Sequence, residues 1–314
     1  MALNVLLTIL QQGLCYALVA LGVYISYKIL DFPDLTVDGT FPLGGVICIN
    51  LIQLGCPFVI AILCAFLVGA LAGLVTGLFH VKCKISNLLS GILTMTGLLS
   101  ITIALSKGRT LIPYDNVKDI TLFNNAFIKL FGINMKVQAL GKILILIIVV
   151  IACKLLLDLF LKTKTGFMLR AVGNNEQMCT SLGCDSGLYK ILGLVIANGM
   201  VGLAGAIYGQ YMNYFDNTSG TGMVVIALAS VIIGCAMFKK VKVVKGTTAV
   251  IVGALIYTAC LNFAVACGIP TTYLKLLMAL LFAVILILNN TVLSKDKMSK
   301  KKGENKNAWI EKYW

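Results

Sequence analysis

A polar stretch of 26 residues, KTKTGFMLRAVGNNEQMCTSLGCDSG at 162–187, sits between two long apolar runs. It cannot remain in hydrocarbon, so the runs on either side must return the chain to one aqueous face. Seven further apolar runs repeat the situation. Read between polar breaks, the nine cover 4–27, 39–54, 58–79, 88–106, 138–161, 188–211, 223–238, 247–267 and 273–288. Several reach or approach the roughly 20 residues that cross a bilayer core of about 30 Å. Only 12% of residues are charged and 59% are hydrophobic, against about 25% charged in a soluble domain. The runs lack the alternation of a membrane β-barrel. The sequence therefore predicts an all-α polytopic membrane protein with about nine spans over 1–290 and a lysine-rich tail over 291–314.

The second and seventh runs have 16 residues each and are flanked by Gly, Thr and Asp. Short spans of this kind suggest broken helices beside a polar cavity. Before the second run, LDFPDLTVDGTFPLGG puts Asp31, Asp34 and Asp38 within eight positions. Pro33, Pro42 and the following glycines predict irregular backbone there. A Thr or Asp would cap the next helix and leave its positive end near a polar solute; a loop of solvated aspartates is the competing reading. Asp34, Thr36, Asp38 and Thr40 are thus candidate path residues. The segment before the seventh run adds Asp216 and Thr221, beside an aromatic cluster suited to a membrane interface, and Asn198 inside the sixth run should seek a partner on another helix.

Basic residues flanking spans are retained in the cytoplasm. Lys82, Lys84, Lys162, Lys164, Arg170, the lysines of 239–245 and seven lysines of the tail fall on one side if nine spans alternate. This predicts the C-terminus inside and the N-terminus outside, with 107–137 as an outer segment whose five basic residues run against the trend. The net charge of +14 then reflects this bias and anionic lipid, not nucleic acid. The first run lacks a basic leader and a small-residue cleavage site, and is expected to be retained.

Gly69, Gly73 and Gly77 give the third run a small-residue face, as do Gly205 and Gly209 in the sixth; an intramolecular crossing is favoured over a dimer contact. Lys154 and Asp158 read as an i,i+4 ion pair. The eleven cysteines read as packing residues, and no metal site is expected. Nucleotide-binding, zinc-protease and serine-hydrolase motifs are missing.

The order ILDFPDLTVDGTFPLGG, TGFMLRAVGNNEQMCTSLG, GLAGAIYGQY and GTGMVVIALASVIIG resembles the permease subunits of branched-chain amino acid and ribose type ABC importers. It is most similar to the branch carrying D-L-T-V-[DE]-G, which is uncharacterised or takes aromatic amino acids. The resemblance implies a multi-pass subunit of a bacterial plasma-membrane importer for an amino acid rather than a sugar. It implies that ATP and Mg are bound by separate ATPase subunits and that this chain carries no cofactor. It also implies an extracellular solute-binding protein of the lipoprotein kind and a second permease copy, most simply a homodimer. The insert 162–187 becomes the coupling element, with Arg170, Asn174, Asn175, Glu176, Ser181, Leu182 and Gly183 meeting the ATPase. Arg170 and Glu176 are the expected salt-bridging residues. An ATP-independent secondary transporter or channel is the alternative.

Overall fold

The computed structural model describes residues 2–114, 121–123, 135–239, 244–270 and 273–287. The tail, the lysines at 240 and 242, and most of the segment 107–137 therefore lie outside the described residues. Helices α1 (Ala2–Val23), α2 (Val37–Gln53), α3 (Phe58–Val81), α4 (Asn87–Leu105) and α5 (Met135–Phe160) form the first half. Two short helices, α6 (Lys164–Asn174) and α7 (Glu176–Ser181), precede α8 (Ser186–Met212), α9 (Met223–Met237) and α10 (Gly246–Ala266). A further helix, α11, covers Leu274–Ile287. Among the described residues one strand pair, β1 (Leu111–Pro113) with β2 (Tyr214–Asp216), is antiparallel and covers the end of the bundle opposite α6 and α7.

Among the described residues seven segments are long and apolar enough to cross a membrane, while α2 and α11 are shorter. The seventh run counts among the seven because α9, itself 15 residues, continues from a 3-10 turn at Asn217–Gly220. Long apolar side chains such as Leu67, Leu71, Ile148 and Leu156 face outward from α3 and α5, as expected where the solvent is lipid.

The interior is built around α8. Glycines on α3 let it approach α8 closely: a Cβ on Gly69 would meet the carbonyl of Asn198, and one on Gly73 the carbonyl of Leu194. The small-residue face of the third run is thus an intramolecular crossing. In lipid, helix association depends on close packing more than on apolar transfer, so this contact specifies how the two helices meet. On the other side of α8, Gly205 lies against the carbonyl of Phe41 on α2.

The region expected to be irregular is largely a helix, and this corrects the sequence reading. α2 runs from Val37 through Pro42 to Gln53, and only 30–36 is non-helical. Pro42 removes one helical bond, the one that would reach the carbonyl of Asp38; Gly220 packs against that carbonyl and the Pro42 ring. The 30–36 stretch carries the chain inward past the last turn of α3, with Phe32 edge-on to His80 at 5.2 Å between ring centroids. α2 therefore starts inside the bundle and runs to the strand end, where Gln53 Nε2 donates to the Pro113 carbonyl at 3.2 Å. Its 17 residues span about 25 Å.

α9 starts at the same level and runs the other way. Asp38 spans the gap between the two helix starts: its Oδ1 accepts from Val224 N at 2.8 Å and its Oδ2 from Gly222 N at 3.1 Å. Asp38 was expected to cap the helix that follows it. It caps α9 instead, because it already lies within the first turn of α2, where its side chain can reach across to the unpaired N–H groups of the facing helix.

Two substitutions test this packing. Asp38→Ala removes two charge-assisted acceptors and is expected to lower stability by about 2 kcal/mol, read as an earlier unfolding midpoint in detergent, with Asp38→Asn milder. Gly73→Leu forces α3 from α8 and is expected to cost about 3 kcal/mol or more; a variant that elutes and melts as the parent does would refute the crossing.

Candidate functional site

The predicted path residues divide into two groups. Asp34, Thr36, Thr40 and Asn198 come together with Thr76 in one buried polar network joining α2, α3 and α8. All five are at most 4% exposed. Asn198 Nδ2 donates to Asp34 Oδ2 at 2.6 Å, and Asn198 Oδ1 accepts from Thr40 Oγ1 at 2.9 Å. Asp34 Oδ1 accepts from Thr36 N at 2.9 Å, so this carboxylate serves the start of α2. The Thr36 and Thr76 hydroxyls share a hydrogen bond of 2.9 Å. Every donor to Asp34 in these bonds is neutral, and each would otherwise be an unpaired buried group. Asn198 thus finds the partners its position demanded. Thr76 escaped the sequence reading, although it stands three residues after Gly73 on the face turned to α8.

Asp38, Asp216 and Thr221 lie apart from that network. Asp216 caps the 3-10 turn by accepting from Thr218 N at 2.8 Å. Thr221 Oγ1 accepts from Lys275 Nζ at 2.8 Å. Asn217 turns inward and donates to Ser106 Oγ at 2.9 Å and to the Arg109 carbonyl at 2.8 Å.

At the other end, α6 and α7 form a compact protrusion whose helix ends are closed by specific side chains. Thr163 starts α6 by accepting from Gly166 N at 3.3 Å. Asn175 is extended, with φ −156°, so it ends α6 and starts α7 in one residue; its Oδ1 accepts from Met178 N at 3.0 Å. Gly183, at φ +80°, ends α7, with its N–H donating to the Thr180 carbonyl and that of Cys184 to the Cys179 carbonyl, both at 3.0 Å. Only glycine adopts that backbone without strain. Asp185 then caps α8 by accepting from Gly187 N at 3.0 Å.

This protrusion presents apolar surface despite its polar sequence. Met178 and Leu182, one turn apart, are 61% and 72% exposed, and Phe167 is 69% exposed. Beneath them Cys179 is buried. Asn175, Ser181, Leu182 and Gly183 belong to this tip. Arg170 and Asn174 do not: they line a cavity with Lys28 and Asp158. Glu176, expected to reach a partner protein, is paired within the chain to Lys190 Nζ at 2.7 Å and accepts from Ser186 Oγ at 3.1 Å. The Lys190 hydrogen bond holds its carboxyl below the usual range. Lys190 also approaches His80 Nε2 at 3.4 Å, while His80 Nδ1 lies 2.8 Å from the Ile85 carbonyl. The tautomer that satisfies both has Nδ1 as donor. The i,i+4 pair of Lys154 and Asp158, 3.1 Å apart, is widened by Lys245 Nζ at 3.1 Å and Thr247 Oγ1 at 2.7 Å, tying α5 to α10.

The family described as "Branched-chain amino acid transport system / permease component" matches residues 5–287. The tyrosine transport system permease protein of Clostridioides difficile is 42% identical over 94% of this chain and 95% of its own length. An uncharacterized protein of Rickettsia prowazekii is 29% identical over 90% of this chain and 97% of its own. The ribose import permease protein RbsC of Haemophilus influenzae is 25% identical over 91% and 84%. No solved structure matches the chain. With nine apolar helices among the described residues and a family match over residues 5–287, the chain belongs to the branched-chain amino acid transport system permease family, as a multi-pass membrane permease component.

Proposed function

We propose that this chain is the transmembrane subunit of an ATP-driven importer that passes an aromatic or branched-chain amino acid into the cell. It works with separate ATPase subunits that bind ATP and Mg, an extracellular solute-binding lipoprotein and a second copy of itself. The N-terminus lies outside and the C-terminus inside, with α2 and α11 completing nine spans. The observation that carries the reading is the α7 tip: a six-residue helix capped at both ends that exposes Met178 and Leu182 on an otherwise polar insert. A permease without a nucleotide site must receive motion through a rigid contact, and a capped helix with an apolar knob suits a groove on an ATPase. The tyrosine permease similarity supports an aromatic substrate.

The path runs along the faces of α2 and α9 turned to the second copy. Asp38, Asp216 and Thr221 border its outer half. The buried Asp34, Thr36, Thr40 and Asn198 act behind it by holding α2 against α8.

Copurification of the chain from bacterial membranes should bring an ATPase subunit. Uptake by the chain alone in liposomes, driven by a sodium or proton gradient, would instead establish the secondary-transporter reading. In the assembled importer, joint replacement of Asn175 by Leu and Gly183 by Val removes a cap and a left-handed terminator, each contributing about 1 kcal/mol. ATP hydrolysis should then lose its dependence on the loaded binding protein, and uptake should fall at least tenfold, with membrane insertion unchanged. Because the Glu176 carboxyl is held down by Lys190, their pairing stabilises α7 fully above the free glutamate value near 4.3. It is lost as the pH falls through the lower folded value. Reactivity of Cys179 toward an acid-compatible disulfide reagent should rise in that window, and Glu176→Gln should abolish the transition.

A further inference from the structure

A cavity of about 920 Å³ opens at the end of the bundle that carries α6. Its wall comes from four separate parts of the chain: the π-helical turn Tyr24–Ile29 that follows α1, the end of α5, α6 and the start of α10. Lys28, Lys162, Arg170 and Lys245 line it, against Asp31 and Asp158, so four cations face two carboxylates and leave an excess of two positive charges. Asp158 is already committed to Lys154 and Lys245. Among the described residues Lys28, Lys162 and Arg170 have no ion-pair partner. α10 also begins here without a side-chain cap, which adds to the positive potential.

A second cavity of about 420 Å³ adjoins the first and shares Tyr24, Tyr27, Lys28 and Gly246 with it. Apart from Cys235 and Lys239, its remaining lining is apolar, with Val231, Ile232, Ala236, Phe238, Val244 and Ala249. A cation-lined chamber opening beside an apolar one, with two tyrosines and a lysine stem at the junction, matches a ligand that is anionic at one end and hydrocarbon at the other.

We propose that these joined chambers bind a phosphate-bearing anion, supplied as the headgroup of an anionic phospholipid whose acyl chain enters the apolar chamber. The ligand would bridge α1, α6 and α10. α6, which leads into the α7 tip assigned above to ATPase contact, would then sense the lipid around it. Binding itself does not depend on that assignment, on the direction of transport or on an ATPase.

Native mass spectrometry of the purified full-length chain tests it, with chain-matched phosphatidylglycerol and phosphatidylcholine as probes and glycerol 3-phosphate as the soluble arm. The parent protein should retain phosphatidylglycerol at least tenfold more tightly. Lys28→Gln with Lys162→Gln should reduce that preference roughly fivefold per lysine removed, whereas Lys→Arg at both positions should keep it. Ala236→Trp should weaken retention of the lipid by narrowing the apolar chamber, and an unchanged elution profile shows that each variant is folded. Equal retention of the two lipids by the parent, or an undiminished preference in the double Gln variant, would overturn the proposal. Displacement of the lipid by glycerol 3-phosphate at equal concentration would overturn the lipid as the source of the anion. A chain that transports nothing yet keeps the preference would separate this inference from the transport reading.

Discussion

Two helix starts held inside an apolar bundle by carboxylates are the constraint from which the architecture follows. A helix that begins at a membrane surface leaves its first N–H groups to water, but α2 and α9 begin within the bundle, and carboxylates of the protein supply acceptors there. Asp34 serves the start of α2 and Asp38 the start of α9. Each carboxylate sits beside the positive end of a helix, which offsets part of the cost of placing it there. Asp38 also ties the two helices to each other, although they leave it in opposite directions.

That arrangement stands because α8 holds one side of it. The backbone contacts of Gly69 and Gly73 bring α3 close enough to α8 for Thr76 to reach Thr36, while Asn198 joins Asp34 to Thr40. Polar bonds and small-residue packing therefore reinforce one another along the same stretch of α8. Movement of α8 would be felt directly at the start of α2.

α8 also begins at Asp185, immediately after the α7 tip, and Lys190 in its second turn clasps Glu176. The protrusion is thus braced on a 27-residue helix of the bundle rather than suspended on a loop. Met178 and Leu182 are thus joined through capped helix ends to the helix that carries Asn198, an arrangement that suits the coupling contact proposed above. Asp158, gripped by Lys154, Lys245 and Thr247, similarly anchors the end of α5 to α10 beside the same protrusion.

The order of apolar runs, the polar insert and the unusual shortness of the second run were all legible in the residues, because hydrophobic length and charge act locally. The glycines of the third run announced a close crossing. Gly183 and Asn175 close the ends of a short helix by chemistry that needs no distant partner. The tertiary structure decided what each polar residue in those segments serves. Asp38 reaches a helix 184 positions away instead of its own, Glu176 turns to Lys190, and Asn198 joins Asp34 across 164 positions. Pro42 sits inside a helix, with Gly220 packed against its ring and the Asp38 carbonyl. Such partners are chosen by which surfaces meet after the helices pack, and sequence spacing carries no record of that.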